Sequence, residues 1–178
     1  MAIILEKAKN LALFINFRNK TMLHIFCAVC ATFFLQFQPI ASEIDVSDYI
    51  LNGQEATNIN QNLVWLRCSA GQRWTDDEIC IGQPMLLTHD EAVLASNMAS
   101  EQLGGSWRLP TRAELERLVC KKCSPPKIND AVFPNTPSGT FWTSTPSRKN
   151  FFWIVSFLNG NSFGVGYRGQ KRYLRLVR

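Results

Sequence analysis

Histidine is scarce in this chain, which has only His24 and His89 among its 178 residues. Ser-His-Asp and Cys-His catalysis both need a histidine as general base, and only His89 lies outside the first forty residues. His89 falls at a predicted helix N-terminus, where we expect a plain surface histidine. A structural zinc site would need a histidine beside the cysteines or four converging cysteines. We therefore expect no enzymatic activity, no metal and no cofactor.

A hydrophobic run long enough to span a membrane is also missing. The apolar stretch from Met22 to Leu35 has 14 residues, whereas a spanning helix needs roughly 20. Arg18 and Lys20 precede the stretch and small residues follow it up to Ser42, which is typical of a secretory signal peptide. We predict a signal peptide over residues 1–42, with an uncleaved anchor as the alternative. After cleavage no membrane span remains, and the protein is exported to the periplasm, the medium or the bacterial cell surface.

The sequence contains no internal repeat, heptad pattern or Gly-x-y run, which excludes solenoids, coiled coils and collagen. Two threonines, Thr88 and Thr111, each stand three residues before a glutamate, which is the spacing of a capping box. The spacing predicts one helix from Thr88 to Gly104–Gly105 and a second from Thr111 to about Cys120.

Alternating apolar residues predict β structure on both sides of these helices. A hairpin of two short strands is expected within residues 63–82, around a turn at Arg73–Asp77, with the acidic Asp76, Asp77 and Glu78 solvated at its tip rather than binding calcium. A meander is expected from residue 140 onward, with a turn at Asn159-Gly160. The predicted fold class is α+β, with two consecutive helices packed on antiparallel β hairpins and a meander. Residues 43–63 are polar, and we predict a loosely held, flexible segment before a domain over 64–178.

Four cysteines follow the predicted signal peptide, and in an oxidising compartment an even number favours disulfides. Four cysteines allow three connectivities, and we favour the two local pairs, Cys68 with Cys80 and Cys120 with Cys123. The second pair also has the C-x-x-C spacing of thiol oxidoreductases. It closes a predicted helix rather than opening one, and a structural disulfide is the favoured interpretation.

Acidic residues are absent beyond Asp130, whereas seven basic residues follow it. Residues 43–130 contain 13 acidic and 8 basic residues, so the two parts carry opposite net charge. Arginine binds sulfate and carboxylate groups well, and tyrosine can stack on sugar rings. The alternative is a solvated strand edge kept charged against aggregation. The candidate ligand-binding residues are Arg148, Lys149, Arg168, Lys171, Arg172, Arg175, Arg178, Tyr167 and Tyr173.

The stretch "SWRLPTRAEL" over residues 106–115 combines a possible strand with a capped helix start. Trp107 and Leu109 alternate as in a strand, and Pro110 leads into the capping residue Thr111. Arg108 is expected to pair with a carboxylate or a carbonyl. The stretch is therefore interpreted as a strand-to-helix joint rather than a reaction centre.

Several stretches together resemble a known family, the Lcl C-terminal domain family of bacterial collagen-like adhesins. The similarity covers about residues 64–178 and is carried, in order and spacing, by "RCSAGQRWTDDEIC", "GGSWRLPTRAELERLV", "INDAVFPNTP", "FWTSTP", "FWIVSFLNG" and "YLRLVR". The resemblance implies an exported or surface-displayed domain with a C-type-lectin-like fold. In the adhesin itself, the domain is associated with trimerisation and with binding of sulfated glycosaminoglycans. The present sequence shows no collagen-like repeat before the domain.

The leading hypothesis is an exported, non-enzymatic binding or adhesion domain that recognises anionic glycans through a basic C-terminal face. The expected partners are an anionic polysaccharide or another surface protein, and not a nucleic acid, while a homo-oligomer is compatible with the sequence. Two alternatives are a periplasmic thiol-disulfide oxidoreductase using Cys120 and Cys123, and a structural subunit of a surface assembly.

Overall fold

A computed structural model of the protein describes residues 46–178. The predicted signal peptide over residues 1–42 lies outside these described residues. None of the helices within them has the length and apolar character needed to cross a membrane.

The first sheet is a three-stranded antiparallel meander at the start of the described chain. It consists of β1 (Tyr49–Asn52), β2 (Glu55–Asn58) and β3 (Leu63–Leu66), in that order. Ala56 of β2 is fully buried opposite Trp65 of β3. The prediction of a loosely held segment over residues 43–63 is therefore wrong for the part that the structure describes, residues 46–63. Tyr49 and Ala56 anchor this segment, because both pack against the hydrophobic cluster that includes Phe133.

A short hairpin follows, formed by β4 (Arg73–Trp74) and β5 (Cys80–Ile81). A disulfide joins Cys68 to Cys80 across a Cα–Cα distance of 5.4 Å. This local pairing was predicted and is confirmed. The predicted turn at Arg73–Asp77 is wrong in its start, because Arg73 and Trp74 form β4 and Leu63–Leu66 pairs with β2 instead. Asp76, Asp77 and Glu78 lie at the exposed tip of the hairpin.

Both predicted capping boxes are present. Helix α1 (His89–Leu103) begins after Thr88, whose side chain accepts from the Glu91 amide while the Glu91 carboxylate accepts from the Thr88 amide. Helix α2 (Arg112–Glu116) begins in the same way after Thr111, with Glu114 in the glutamate's role. The predicted end near Cys120 is wrong, because α2 ends at Glu116 and continues as turns.

The second large sheet contains β6 (Thr140–Arg148), β7 (Phe151–Ser156) and β8 (Ser162–Tyr167), again antiparallel and in sequence order. The predicted meander is thereby confirmed. The Asn159-Gly160 turn differs in detail, since only Gly160 takes a positive φ, of 75°. The connection from β7 to β8 spans residues 157–161 and is longer than the two-residue turn that the sequence predicted.

The last residues of the chain run between the two large sheets. Val177 forms bridges to Trp65 and to Arg108, Arg172 to Leu87, and Tyr173 to Phe141. Leu174 and Leu176 face one hydrophobic cluster, which includes Trp107 and Trp142. Val177 and part of Tyr173 face a second cluster, built around residues such as Trp65, Phe133 and Phe157. The predicted alternation is present, but both faces are covered, so this segment is central rather than an exposed edge.

Candidate binding site

Arg175 lies in the core and not on the predicted basic face. Its relative exposure is 0%, and its guanidinium donates to the Leu66 carbonyl at 2.9 Å and to Thr136 Oγ1 at 2.6 Å. It also donates to the Arg67 carbonyl and lies over the Phe133 ring, 4.7 Å from the centroid. Burial lowers the pKa of Arg175 to about 9. Arg175 is therefore a structural residue, and its assignment to a ligand site is wrong.

Tyr173 and Arg178 are also engaged within the fold. Tyr173 packs on Phe141 with ring centroids 5.4 Å apart, and its ring occupies the space that a Cβ at Gly139 would need. Arg178 forms a bidentate pair with Glu55, at 2.9 and 3.0 Å. Its guanidinium also lies 4.8 Å from the centroid of the Trp107 ring. Neither residue belongs to the surface described next.

Five of the predicted cations share one end of the molecule, which we call the basic end: Arg148, Lys149, Arg168, Lys171 and Arg172. Arg148 ends β6, Lys149 lies in the β6–β7 turn, and the Arg168 amide donates to the Asn150 carbonyl of that turn at 3.0 Å. The Arg168 carbonyl accepts from the His89 amide, while Arg172 pairs with Leu87 through both of its main-chain groups. The basic end is thus built from two loops that meet at the N-terminus of α1.

Most charges at the basic end lack an acidic partner. Arg168 pairs with Asp90 at 2.5 Å. Among the described residues, no carboxylate forms an ion pair with Arg148, Lys149, Lys171 or Arg172. Arg172 instead donates to the Gln170 side chain and the Lys171 carbonyl, at 2.9 and 2.8 Å. Arg148, Lys149 and Lys171 are therefore exposed to an external anion, while Arg172 is half-buried beside them and Glu91 at the start of α1 interacts electrostatically with Lys171.

An aromatic pair extends the basic end along the sheet. The Arg148 guanidinium lies over the Phe151 ring, 4.1 Å from its centroid. Phe151 in turn contacts Tyr167, with centroids 5.5 Å apart. Tyr167 is 46% exposed, so its ring is accessible beside the cations. Of the two predicted tyrosines, only Tyr167 lies where it could contact a ligand together with them.

His89 is buried, and the expectation of a plain surface histidine is wrong. It is 6% exposed and stacks on Phe152 with ring centroids 3.4 Å apart. Its Nε2 lies 3.2 Å from the Thr143 carbonyl oxygen. Burial lowers the pKa of His89, although the Thr143 carbonyl works in the opposite direction. No cysteine or serine side chain is hydrogen-bonded to the ring in the described structure, so the contacts of His89 are those of a core residue.

Cys120 and Cys123 form the second predicted disulfide, with Cα atoms 5.4 Å apart. The pair follows α2 and neither helix of residues 46–178 begins at it, whereas the reactive pair of a thiol oxidoreductase gains from lying at a helix N-terminus. The Cys120 amide donates to the Lys127 carbonyl, and Lys127 Nζ donates back to the Cys123 carbonyl at 2.8 Å. These contacts fix the loop after α2 to the segment at residues 124–130.

The strand-to-helix joint at residues 106–115 is held by an arginine-glutamate pair. Arg108 donates to both carboxylate oxygens of Glu114 at 2.9 Å, and Glu114 also closes the capping box with Thr111. The Arg108 guanidinium is the main cause that lowers the pKa of Glu114 to about 2. The predicted helix start is confirmed, whereas the predicted strand is reduced to a single bridge between Arg108 and Val177.

A cleft that the sequence did not predict lies beside α1 and has a volume of about 540 Å³. Its walls are the loop after β3, the β4 residues Arg73 and Trp74, Met85, and the C-terminal half of α1 including Met98. Residues from five separate parts of the chain line the cleft, including Gln54 and Leu176, so no local pattern could have located it. Within the described chain, no group of three or more histidine, cysteine or acidic residues is arranged to hold a metal ion.

Comparison with known proteins places this fold in a family. No curated protein matches the sequence. The family described as the Lcl C-terminal domain matches residues 54–178, which begins ten residues before the predicted boundary and so includes β2 of the first sheet. The matched region covers both helices, all strands from β3 onward and the basic end. The chain belongs to the Lcl C-terminal domain family.

Proposed function

We propose that this protein is an exported, non-enzymatic binding domain that holds anionic polysaccharides at its basic end. The observation that carries the proposal is the set of four cations without acidic partners beside the exposed ring of Tyr167. Sulfate and carboxylate groups would bind Arg148, Lys149, Lys171 and Arg172, while a sugar ring stacks on Tyr167.

Export is part of the same proposal. Two disulfides stabilise the domain, and disulfides persist in oxidising compartments. The C-type-lectin-like arrangement implied by the family resemblance also belongs to this proposal, since the mixed α+β fold and its three antiparallel sheets are compatible with it.

The test is retention on immobilised heparin, a sulfated polysaccharide, across a salt gradient. A variant with Arg148, Lys149, Lys171 and Arg172 all changed to glutamine should elute at clearly lower salt than the unchanged protein. A matched control carries the same change at four other exposed cations, Arg73, Arg117, Lys121 and Lys122.

The control separates a site from general charge, since both variants lose the same net charge. Retention of the control variant close to that of the unchanged protein supports the basic end as the site. Equal loss of retention in both variants would show that net charge alone binds the column. Tyr167→Ala, which removes no charge, should weaken binding to a heparin tetrasaccharide.

The two alternatives are tested separately. A thiol-disulfide oxidoreductase using Cys120 and Cys123 would reduce insulin with turnover, whereas a structural bridge would not. A structural subunit of a surface assembly would co-purify with its neighbours from native membranes or medium.

A further inference from the structure

The tripeptide Leu-Asn-Gly occurs twice in this chain, at residues 51–53 and at residues 158–160. The first copy turns the chain from β1 into β2, and the second lies in the connection from β7 to β8. Asparagine is thermolabile, and a following glycine leaves the next main-chain nitrogen unhindered for attack on the asparagine side chain. Because the two copies contain the same three residues, a difference in their reactivity must come mainly from the fold.

The second copy is restrained by the fold. The Gly160 amide donates to the Ser156 carbonyl at 2.8 Å, and the Asn159 side-chain oxygen accepts from the Asn161 amide at 3.0 Å. A Cβ placed at Gly160 would lie 2.9 Å from Val119 Cγ1, so this glycine packs against the chain that follows α2. Both the attacking nitrogen and the attacked side chain are therefore held in place.

The first copy has none of these restraints. Asn52 and Gly53 are exposed, and apart from the chain neighbours no heavy atom lies within 4 Å of a Cβ placed at Gly53. Over residues 46–178, neither the Asn52 side chain nor the Gly53 amide takes part in a hydrogen bond. A free main-chain nitrogen next to a free carboxamide is the arrangement that cyclisation of an asparagine requires.

We propose that Asn52 is a site of spontaneous deamidation, which converts it into aspartate and isoaspartate. The Gly53 nitrogen attacks Asn52 Cγ, so that a new C–N bond forms and the bond from Cγ to Nδ2 breaks. Ammonia leaves, made of the amide nitrogen with its two hydrogens and the proton of the Gly53 nitrogen. Water then opens the cyclic imide at one of its two carbonyl carbons, which gives aspartate from one opening and isoaspartate from the other. Water is the only co-reactant.

Either product places a new carboxylate at the end of β1. Asn52 lies directly opposite Glu55 in the register of β1 and β2, and Glu55 forms the bidentate pair with Arg178. Like charges at directly opposite positions destabilise a pair of strands. The reaction therefore adds a negative charge next to the carboxylate that holds Arg178.

Isoaspartate also lengthens the main chain of the turn by one carbon atom. The Gly53 carbonyl accepts from the Arg67 guanidinium at 3.1 Å, and Arg67 is only 3% exposed. The same guanidinium donates to the carbonyls of Val132 and Ala131, so it connects the turn with a distant segment. A longer turn displaces the Gly53 carbonyl from a buried donor, and a buried donor without its acceptor is destabilising. Isoaspartate should therefore be more harmful than aspartate.

The experiment incubates the folded protein, with its disulfides intact, at mildly alkaline pH and follows both asparagines by peptide mass spectrometry. The control is the same protein reduced and unfolded in guanidinium chloride, where both copies of the tripeptide are free. In the folded protein we expect Asn52 to react at least about tenfold faster than Asn159, because the hydrogen bonds of Asn159 and Gly160 must break first. In the unfolded chain we expect similar rates.

A reaction at Asn159 as fast as that at Asn52 in the folded protein would overturn the proposal. The same conclusion would follow if Asn52 stayed unchanged in the folded protein while the unfolded chain reacted completely.

Two variants assign the product. On cation exchange the deamidated protein should elute earlier than the unchanged protein; Asn52→Ser should abolish this species, and the matched control Asn159→Ser should retain it. Persistence of the species in Asn52→Ser would contradict the assignment. The isolated isoaspartate form should unfold at a lower urea concentration than Asn52→Asp, which adds the charge without lengthening the chain. Neither Asn52 nor Gly53 belongs to the basic end, so the result is independent of heparin retention.

Discussion

Replacing Arg175 by alanine should lower the free energy of unfolding by about 3–5 kcal/mol. The residue stands among surface cations in the sequence, so charge alone would suggest that its removal is harmless. In the structure its guanidinium is fully buried and donates to two main-chain carbonyls and to Thr136 Oγ1. Removal leaves these acceptors without a partner and opens a cavity next to Phe133.

The magnitude follows from opposing contributions. The three shorter hydrogen bonds of the Arg175 guanidinium contribute about 1.5–3 kcal/mol each, and a fourth, to Ser69 Oγ, is long at 3.4 Å. The cost of taking a charge out of water opposes these hydrogen bonds and amounts to several kcal/mol. The same desolvation lowers the pKa of Arg175. The cavity left by alanine adds to the loss, and about 3–5 kcal/mol remains. A domain whose total stability is about 5–15 kcal/mol would then be close to unfolding at 37 °C.

The assay is urea unfolding at pH 7, followed by tryptophan fluorescence with the disulfides intact. Arg172→Ala serves as the matched control, since Arg172 is half-buried at the basic end and should cost below about 1 kcal/mol. A loss for Arg175→Ala as small as that of the control would refute the structural role assigned to this arginine.

Three further predictions concern pH and the disulfides. Burial lowers the pKa of His89, so the unfolded chain is protonated first as the pH falls. The stability due to His89 is therefore complete above pH 6.5 and declines below it by at most about 1.4 kcal/mol per pH unit. Urea midpoints measured from pH 5 to 7.5 should vary less in His89→Gln than in the unchanged protein, and parallel profiles would contradict this. The pKa of Glu114 is about 2, so its pairing with Arg108 stabilises the fold above pH 4.5, and this stabilisation is lost as the pH falls toward 2. Because Arg108 is 45% exposed, Arg108→Ala should lower the free energy of unfolding by only about 1 kcal/mol at pH 6 and by less at pH 2.5. The same loss at both pH values would count against the pair. Replacing Cys68 and Cys80 by alanine should lower the free energy of unfolding by about 3 kcal/mol, and replacing Cys120 and Cys123 by about 2 kcal/mol, because the first disulfide closes the longer loop. Calorimetry that finds the reverse order would be inconsistent with the chain-entropy reasoning.

Local signals in the sequence predicted local structure correctly. The capping boxes at Thr88 and Thr111 involve residues only three positions apart, so the sequence contains all that they need. The same holds for the disulfides, whose cysteines are 12 and 3 residues apart. The β6–β8 meander also depends on neighbouring segments that pair in order.

Burial by distant segments explains the wrong predictions. Arg175 alternates with Leu174 and Leu176 as expected, but strand alternation does not reveal whether a second sheet covers the polar face. Here the first sheet and residues 131–136 cover it, about forty or more residues earlier in the chain. His89 lies beside a helix cap, yet Phe152 of β7 stacks on its ring. Neither contact has a signal in the adjacent sequence.

The grouping of the candidate residues could be predicted only in part. Charge asymmetry in the sequence pointed to seven cations, of which five lie together at the basic end, whereas Arg175 is buried and Arg178 pairs with Glu55. That the basic end binds a ligand stays a prediction. The cleft beside α1 was missed because five separate parts of the chain line it, although the exposed Met98 and Leu103 of α1 are a signal for it.

Amide chemical-shift mapping tests the central claim most directly. A heparin tetrasaccharide is titrated into the ¹⁵N-labelled protein at about 0.15 M salt, and shift changes are recorded residue by residue. The account predicts that the largest changes fall at residues 148–151 and 167–172, with Arg175 affected little. Changes concentrated at residues 117–127, or spread evenly over all exposed cations, would contradict it.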